Sequence, residues 1–266
     1  MPEKRVAISV QNLVKYFGGR KVLDGVSLDI YQGETFVIMG GSGCGKSTLL
    51  RHMTGAIAPT SGKVFFHGRD LTTMNDEEKE KLKRRFGMCF QSAALLDYLN
   101  VADNVGLPLV EHTHLDPKII RMIVKMKLGL VGLQGYEDLM PNMLSGGMKK
   151  RVGLARAIAL DPEIVFYDEP TAGLDPVVCA VVDKLILDLS HKLLLTSIVV
   201  THNMESVYRI ADRAAMLYRG KVLEVGTPEE IKNSKNPIVQ QFIHGQIEGP
   251  IDFLRLDQES SELVDS

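Results

Sequence analysis

Residues 35–48 read TFVIMGGSGCGKST. The first part, residues 35–39, is a short run of apolar and β-branched side chains, the pattern of a strand buried on both faces. Gly40-Gly41-Ser42-Gly43-Cys44-Gly45-Lys46-Ser47 then satisfies G-x-x-x-x-G-K-[ST] in full. Glycines let such a loop wrap so that backbone N–H groups point at nucleotide phosphates. Lys46 brings a point charge to the β and γ oxygens, and the Ser47 hydroxyl can ligand Mg²⁺. A helix predicted over Lys46–Met53, with Thr48 in its first turn, offers its N-terminal N–H groups and dipole to the same anion. Strand, glycine-rich loop and helix in that order form a phosphate cradle. Cys44 sits inside it as a small residue whose oxidation would block the site.

Working outward, similar strand-like runs recur at residues 6–10, 86–90, 164–167, 196–200, 214–218 and 221–225. Helical patterns lie between them, at residues 147–160 and 177–189. Strands alternating with helices argue for an α/β fold with a largely parallel sheet. Gly18-Gly19, between Val10 and Val26, reads instead as the turn of an antiparallel hairpin. Residues 93–159 carry Leu and Met at helical spacing with few strand signals, which predicts a helical subdomain inserted into the α/β core. From Gly249 the pattern breaks, and GPIDFLRLDQESSELVDS ends acidic and rich in serine. That stretch reads as an extended or disordered tail, or as a segment that orders on a partner.

The chain has 266 residues, 45% hydrophobic and 24% charged, with net charge −2. These are ordinary globular values and exclude a disordered, collagen-like or coiled-coil chain. No global basic field points to nucleic acid. The longest apolar run, residues 177–182, is six residues, far short of the ~20 of a membrane span. MPEKRVAISV at the start lacks the apolar stretch of a secretory signal, so the expected compartment is cytoplasmic. Cys44, Cys89 and Cys179 are widely spaced without a C-x-x-C pair, so neither zinc nor a disulfide framework is indicated. His112 and His114 read as surface polar residues. Lys81 to Arg85, after Glu77, Glu78 and Glu80, reads as a charged helix face. Met88, Met140 and Met143 are candidates to line a groove for a partner's helix.

Residues 164–169, IVFYDE, form an apolar run ending in two acids. Asp168 at the strand tip can hold Mg²⁺, directly or through water, beside the Ser47 hydroxyl. Glu169 would then face the γ-phosphate, placed to orient and polarise the attacking water.

Further segments follow in a characteristic order. Gln91 follows the run at 86–90, and Leu144-Ser145-Gly146-Gly147-Met148 precedes a helical pattern. Ala172-Gly173-Leu174-Asp175 follows the two acids, and His202 follows the run at 196–200. This order resembles the nucleotide-binding domain of ABC transporters over residues 6–242. The resemblance implies a P-loop NTPase fold with a parallel RecA-like core, an antiparallel β subdomain and the helical insert. It implies residues 1–245 as the nucleotide-binding domain and 246–266 as a C-terminal extension, with ATP and Mg²⁺ as cofactors. Phe17 would stack on adenine, with Tyr16 the neighbouring candidate. Gly40 to Thr48 would bind the phosphates, with Lys46 also serving catalysis. Gln91 would sense Mg²⁺ and the attacking water. Asp168 would be the metal ligand, Glu169 the base, and His202 a γ-phosphate contact. Asp175 would lie in the loop that communicates across a dimer. Ser145, Gly146 and Gly147, at a helix N-terminus, would form a second anion site for the ATP held by a second copy of the chain. Met148 stands where the family usually has Gln, and Met cannot donate that contact.

Three stretches, residues 92–96, 100–105 and 108–113, together with LSGGMKKR and the segment from Gly249, are similar to the ATPase subunits of Mla phospholipid transporters. That group accepts Met at the end of its signature. The narrower resemblance implies an integral membrane permease, a periplasmic MCE-domain lipid carrier and a small STAS-domain subunit as partners. It places the chain peripherally on the cytoplasmic face of the bacterial inner membrane. It also implies that residues from Gly249 onward reach the neighbouring ATPase subunit. The alternatives keep the ATPase and change the cargo to amino acids, ions or drugs, or make it a non-transport ABC ATPase of DNA repair or translation. The latter usually carry two such domains or a long coiled-coil insert, and no long heptad stretch is present here. A pure nucleotide-binding regulator is disfavoured by the intact Asp168-Glu169 pair.

Overall fold

The computed structural model describes residues 5–251. Strands β1 (Val6–Phe17) and β2 (Arg20–Tyr31) form a hairpin. Gly18 and Gly19 turn it with φ of 49° and 85°, the left-handed pair that suits the twist of a two-residue loop. Strand β3 (Thr35–Met39) leads through the glycine loop into α1 (Lys46–Met53). Next come β4 (Ser61–Phe66), β5 (Arg69–Asp70), α2 (Asp76–Lys83) and β6 (Phe86–Cys89). Helices α3 (Val101–His112), α4 (Pro117–Leu130) and α5 (Gly146–Ala157) follow. The remaining elements are β7 (Ile164–Asp168), α6 (Pro176–Leu193), β8 (Thr196–Thr201), α7 (Met204–Ile210), β9 (Arg213–Tyr218), β10 (Lys221–Gly226), α8 (Pro228–Lys232) and α9 (Pro237–His244).

Among the described residues the strands build two sheets. One is antiparallel, in the order β2-β1-β4-β5. The other runs β10-β9-β3-β8-β7-β6, parallel except for the β9–β10 pair. The central strands alternate between two cores, as the two-residue period of a strand requires. Phe36, Ile38, Phe166, Ile198 and Leu217 join Ile8, Leu13 and Phe66 of the antiparallel sheet. Val37, Met39, Tyr167, Val199 and Met216 join Val152 of α5 and Ile186 and Leu189 of α6. All of these side chains are fully buried or nearly so. Burial on both faces explains why these strands read as continuous apolar runs.

Strands β4 and β5 escaped the sequence reading. Their turn places His67 at φ 45° and Gly68 at 78°, and a non-glycine residue at positive φ is uncommon even though histidine is among the types that tolerate it. Residues 249–251 are irregular, as the break in pattern at Gly249 predicts, yet they are held to the core. The Gln241 side chain, 2% exposed, accepts from the Ile251 N–H at 2.6 Å and donates to its carbonyl at 3.1 Å. Ile251 is therefore buried and tied to α9. Residues 252–266, where the rest of the tail reading falls, lie outside the described residues. The helix-face reading of residues 81–85 matches α2, whose Lys81–Glu77 and Lys83–Glu80 pairs are exposed. Of the three methionines assigned to a groove, Met88 lines one between β6 and α3, with Phe90, Leu96 and Leu107. Met140 and Met143 are absent from its lining. No helix of the described residues is long and apolar enough to cross a membrane.

Gly87 shows how closely α5 approaches the sheet. A Cβ there would stand 2.3 Å from the Ala157 carbonyl oxygen, a backbone atom that cannot swing aside. Gly87→Ala is expected to lower stability by ~1–3 kcal/mol, read as a lower midpoint in thermal or urea denaturation.

Candidate active site

The phosphate loop is shaped by backbone that only glycine tolerates at two points. Gly40 has φ 152°, and a Cβ there would lie 2.2 Å from the Leu217 carbonyl oxygen of β9. Gly45, at φ 108°, would drive a Cβ within 2.8 Å of the Leu23 side chain. The Lys46 ammonium is buried and donates to the carbonyls of Gly40 and Gly41 at 2.8 and 2.9 Å. It thus lies folded across its own loop, with its charge held where phosphate oxygens would meet it. Ser42 and Gly43 are exposed, and Ser47 and Thr48 half-buried, at the start of α1. Burial pushes the Cys44 thiol up against the pull of Lys46, which keeps it protonated and slow to oxidise.

Parallel pairing of β3, β8 and β7 brings the rest alongside. Ser47 Oγ donates to Asp168 Oδ1 at 3.1 Å, a pair of hard oxygen donors of the kind Mg²⁺ takes. Burial raises the Asp168 pKa, the Ser47 hydrogen bond opposes that, and the neighbouring Glu169 charge adds to it. Glu169 sits at φ 48°, a strained conformation of the sort that gathers at active sites. A carboxylate oxygen of Glu169 lies 2.9 Å from His202 Nδ1. The His202 backbone N–H also donates to Glu169 Oε2 at 3.4 Å. Gln91 is exposed and lines an open depression together with Asp168, Ala172 and Gly173.

The signature segment lies at the start of α5. Ser145 is its N-cap and accepts from the Met148 N–H at 3.3 Å. Ser145 and Gly146 are exposed. Gly147 backs onto α6 so closely that a Cβ would meet Val178 at 2.7 Å. Met148 packs partly buried against the helical core. Asp175 is exposed and caps α6, accepting from the N–H groups of Val177 and Val178, both at 3.1 Å. Phe17 and Tyr16 are exposed at the tip of the first hairpin, and the Lys15 ammonium lies 4.9 Å from the Phe17 ring centroid. A cavity of about 320 Å³ borders the phosphate loop, lined by Gly41 to Cys44, Arg20, Lys21 and Arg219. Neither Phe17 nor Tyr16 is in its lining.

The sequence profile of the ABC transporter family matches residues 23–172. The chain belongs to that family. This ABC ATPase is 44% identical over 246 residues to the intermembrane phospholipid transport system ATP-binding protein MlaF of Haemophilus influenzae, covering 92% of this chain and 93% of that one. It is 41% identical over 256 residues to the probable ribonucleotide transport ATP-binding protein mkl of Mycobacterium leprae, covering 96% and 74%. Among solved structures, it matches cbiO1 from Clostridium perfringens, part of the ABC transporter complex cbiONQ. That match has TM-score 0.80 and 30% identity, over 88% of this chain and 92% of that one. It also matches a dimeric post-hydrolysis state of the ATP-binding cassette MJ0796 bound to ADP and Pi, with TM-score 0.76 and 30% identity, over 83% and 98%.

Two features of this ABC ATPase went unread in the sequence. Lys150 and Arg156 of α5 both bond the backbone that follows Gln91. Neither position carries a local signal of this contact, since both read as ordinary charged positions of a helix. His52 on α1 is 2% exposed, and neither ring nitrogen has a hydrogen-bond partner. Burial, helped by the Lys15 charge, lowers its pKa to about 4.

Two predictions follow from these shifts. A carboxyl whose pKa is raised on folding carries its charge at a cost at neutral pH. Asp168→Asn is therefore expected to raise the melting temperature of the nucleotide-free protein by ~2 °C at pH 7, while abolishing Mg²⁺-dependent hydrolysis. For His52 the unfolded chain takes up the proton first, so its contribution is lost as pH falls from 6.5 toward 4. His52→Phe is expected to flatten that acid limb in a series of melting curves.

Proposed function

We propose that this chain is the ATP-hydrolysing subunit of a transporter that moves phospholipids between the inner membrane and the periplasm. The observation that carries the hydrolytic reading is the pairing at the strand ends, Ser47 with Asp168 and Glu169 with His202. The phosphate loop N–H groups and Lys46 bind the triphosphate. Glu169, oriented by His202, accepts a hydrogen bond from the attacking water and takes its proton as the water's oxygen attacks the γ-phosphorus and the bond to ADP breaks. Gln91 lines the same depression and reads whether that water and the metal are in place. Ser47 and Asp168 would hold Mg²⁺, which would neutralise charge on the phosphates. Among the described residues no group of three or more His, Cys, Asp or Glu could hold a metal alone.

The exposed signature N-terminus supports an ATP sandwich of two copies. Ser145 and the amides of Gly146 and Gly147 would meet the γ-phosphate held by the other subunit's Lys46. ATP joins the copies and hydrolysis weakens the contact, a two-state element biased by the nucleotide. Phe17 supplies the adenine stack, and Asp175 stands at the dimer seam. We assign residues 1–245 to the nucleotide-binding domain, with its helical insert at about 93–159, and 246–266 to an extension. The phospholipid cargo is supported by the likeness to MlaF. With it come a permease in the inner membrane, a periplasmic MCE-domain carrier, a small STAS-domain subunit and a peripheral place on the cytoplasmic face. The likeness to mkl keeps a different cargo in view.

Lys46→Ala is expected to abolish turnover, and undiminished phosphate release would refute the site. Glu169→Gln is expected to retain ATP and to run as a dimer in size-exclusion chromatography with MgATP. Pull-down from native membranes should recover an integral membrane permease with bound phospholipid. Recovery of a permease that instead binds a nucleotide or amino acid would reassign the cargo.

A further inference from the structure

The turn that follows Gln91 is held in an unfavourable backbone shape by one helix. Ala93 and Ala94 have φ of 60° and 46°, two consecutive left-handed residues that are not glycine. Their carbonyls point away from any strand partner. Arg156 of α5 takes both, Nη1 donating to Ala94 at 2.7 Å and Nη2 to Ala93 at 2.5 Å. One turn and a half earlier on the same helix, Lys150 is 6% exposed and donates to the Gln91 carbonyl. Its Nζ also stands 3.4 Å from the Glu169 carbonyl. Between the two cations, Gly153 leaves room for Ala93, whose Cβ would lie 3.3 Å from any Cβ placed there. Ser145 caps the N-terminus of α5, ahead of Gly146.

We infer that Lys150 and Arg156 are positioning residues that lock the Gln91–Ala94 turn to the signature helix and so hold Gln91 at the depression it shares with Asp168. Lys150 is the part that reaches the catalytic centre, because it alone bridges the turn and the backbone of Glu169. Arg156 stabilises the turn itself. The guanidinium meets the two adjacent carbonyls with two separate nitrogens of a rigid planar fork, a geometry that the single nitrogen of an ammonium does not reproduce. The inference rests on the hydrolytic reading above and deepens it.

The test is a double-mutant cycle in MgATP turnover on the full chain, with turnover expressed per site that binds a fluorescent ATP analogue. Lys150→Met is expected to lower kcat about tenfold with KM for ATP changed less than twofold. Lys150→Arg is expected to keep at least half of the activity. In a Gln91→Ala background, adding Lys150→Met should cost less than a further twofold. Arg156→Lys keeps the charge but loses the fork, and should behave as Lys150→Met does, so it serves if the latter does not fold. The proposal is overturned if kcat survives Lys150→Met, if the Gln91 and Lys150 losses multiply, or if Gln91→Ala is fully active while Lys150→Met is not. Wild-type protein that hydrolyses no ATP would fault the hydrolytic reading instead.

Discussion

Parallel hydrogen bonding of β3, β8 and β7 puts three distant stretches of chain at one level. Met39 pairs with Thr201, and Val200 pairs with Asp168. The chain therefore leaves β3 as the phosphate loop, β7 as Glu169 and β8 as His202, all at the carboxyl ends of neighbouring strands. That register follows from burial on both faces. Slipping a strand by one residue would exchange the side chains between its two cores. The contacts Ser47–Asp168 and Glu169–His202 are consequences of this ladder, and neither would exist without it.

The site keeps several groups in states they would not choose alone. Asp168 holds its charge in a partly buried place beside Glu169. Lys46 lies folded on the carbonyls of its own loop. Glu169, Ala93 and Ala94 adopt left-handed backbone without glycine's freedom. Such strain persists only where the surroundings over-determine it. Here the surroundings are the sheet on one side and α5 on the other. A bound triphosphate with its cation would relieve the electrostatic part, which is how a cradle of this kind favours its ligand.

Helix α5 serves both halves of the structure. Its N-terminus carries the exposed signature, and its buried face packs on β6 and on the turn after Gln91. The close approach at Gly87 and Gly153 removes the slack that side chains would provide. The helical part is therefore coupled to β6 and the end of β7 by close backbone contact and by two cations as well as by apolar packing.

Much of this was legible in one dimension. Residues 35–48 announced strand, phosphate loop and helix because glycine spacing, Lys46 and Ser47 are demanded by local chemistry. The strand end at Asp168 could be named for the same reason, whereas His202 and Ser145 were named through the family resemblance. The turn at His67-Gly68, the burial of His52 and the anchoring of Ile251 by Gln241 could not be. Each depends on a neighbour far along the chain or on a residue type with no strong local preference. Local patterns thus determined which elements form and which residues have the right chemistry. Only the tertiary structure decided that Lys150 and Arg156 grip the Gln91 turn, because a charged residue on a helix is read as solvated until the surface packed against that helix is known.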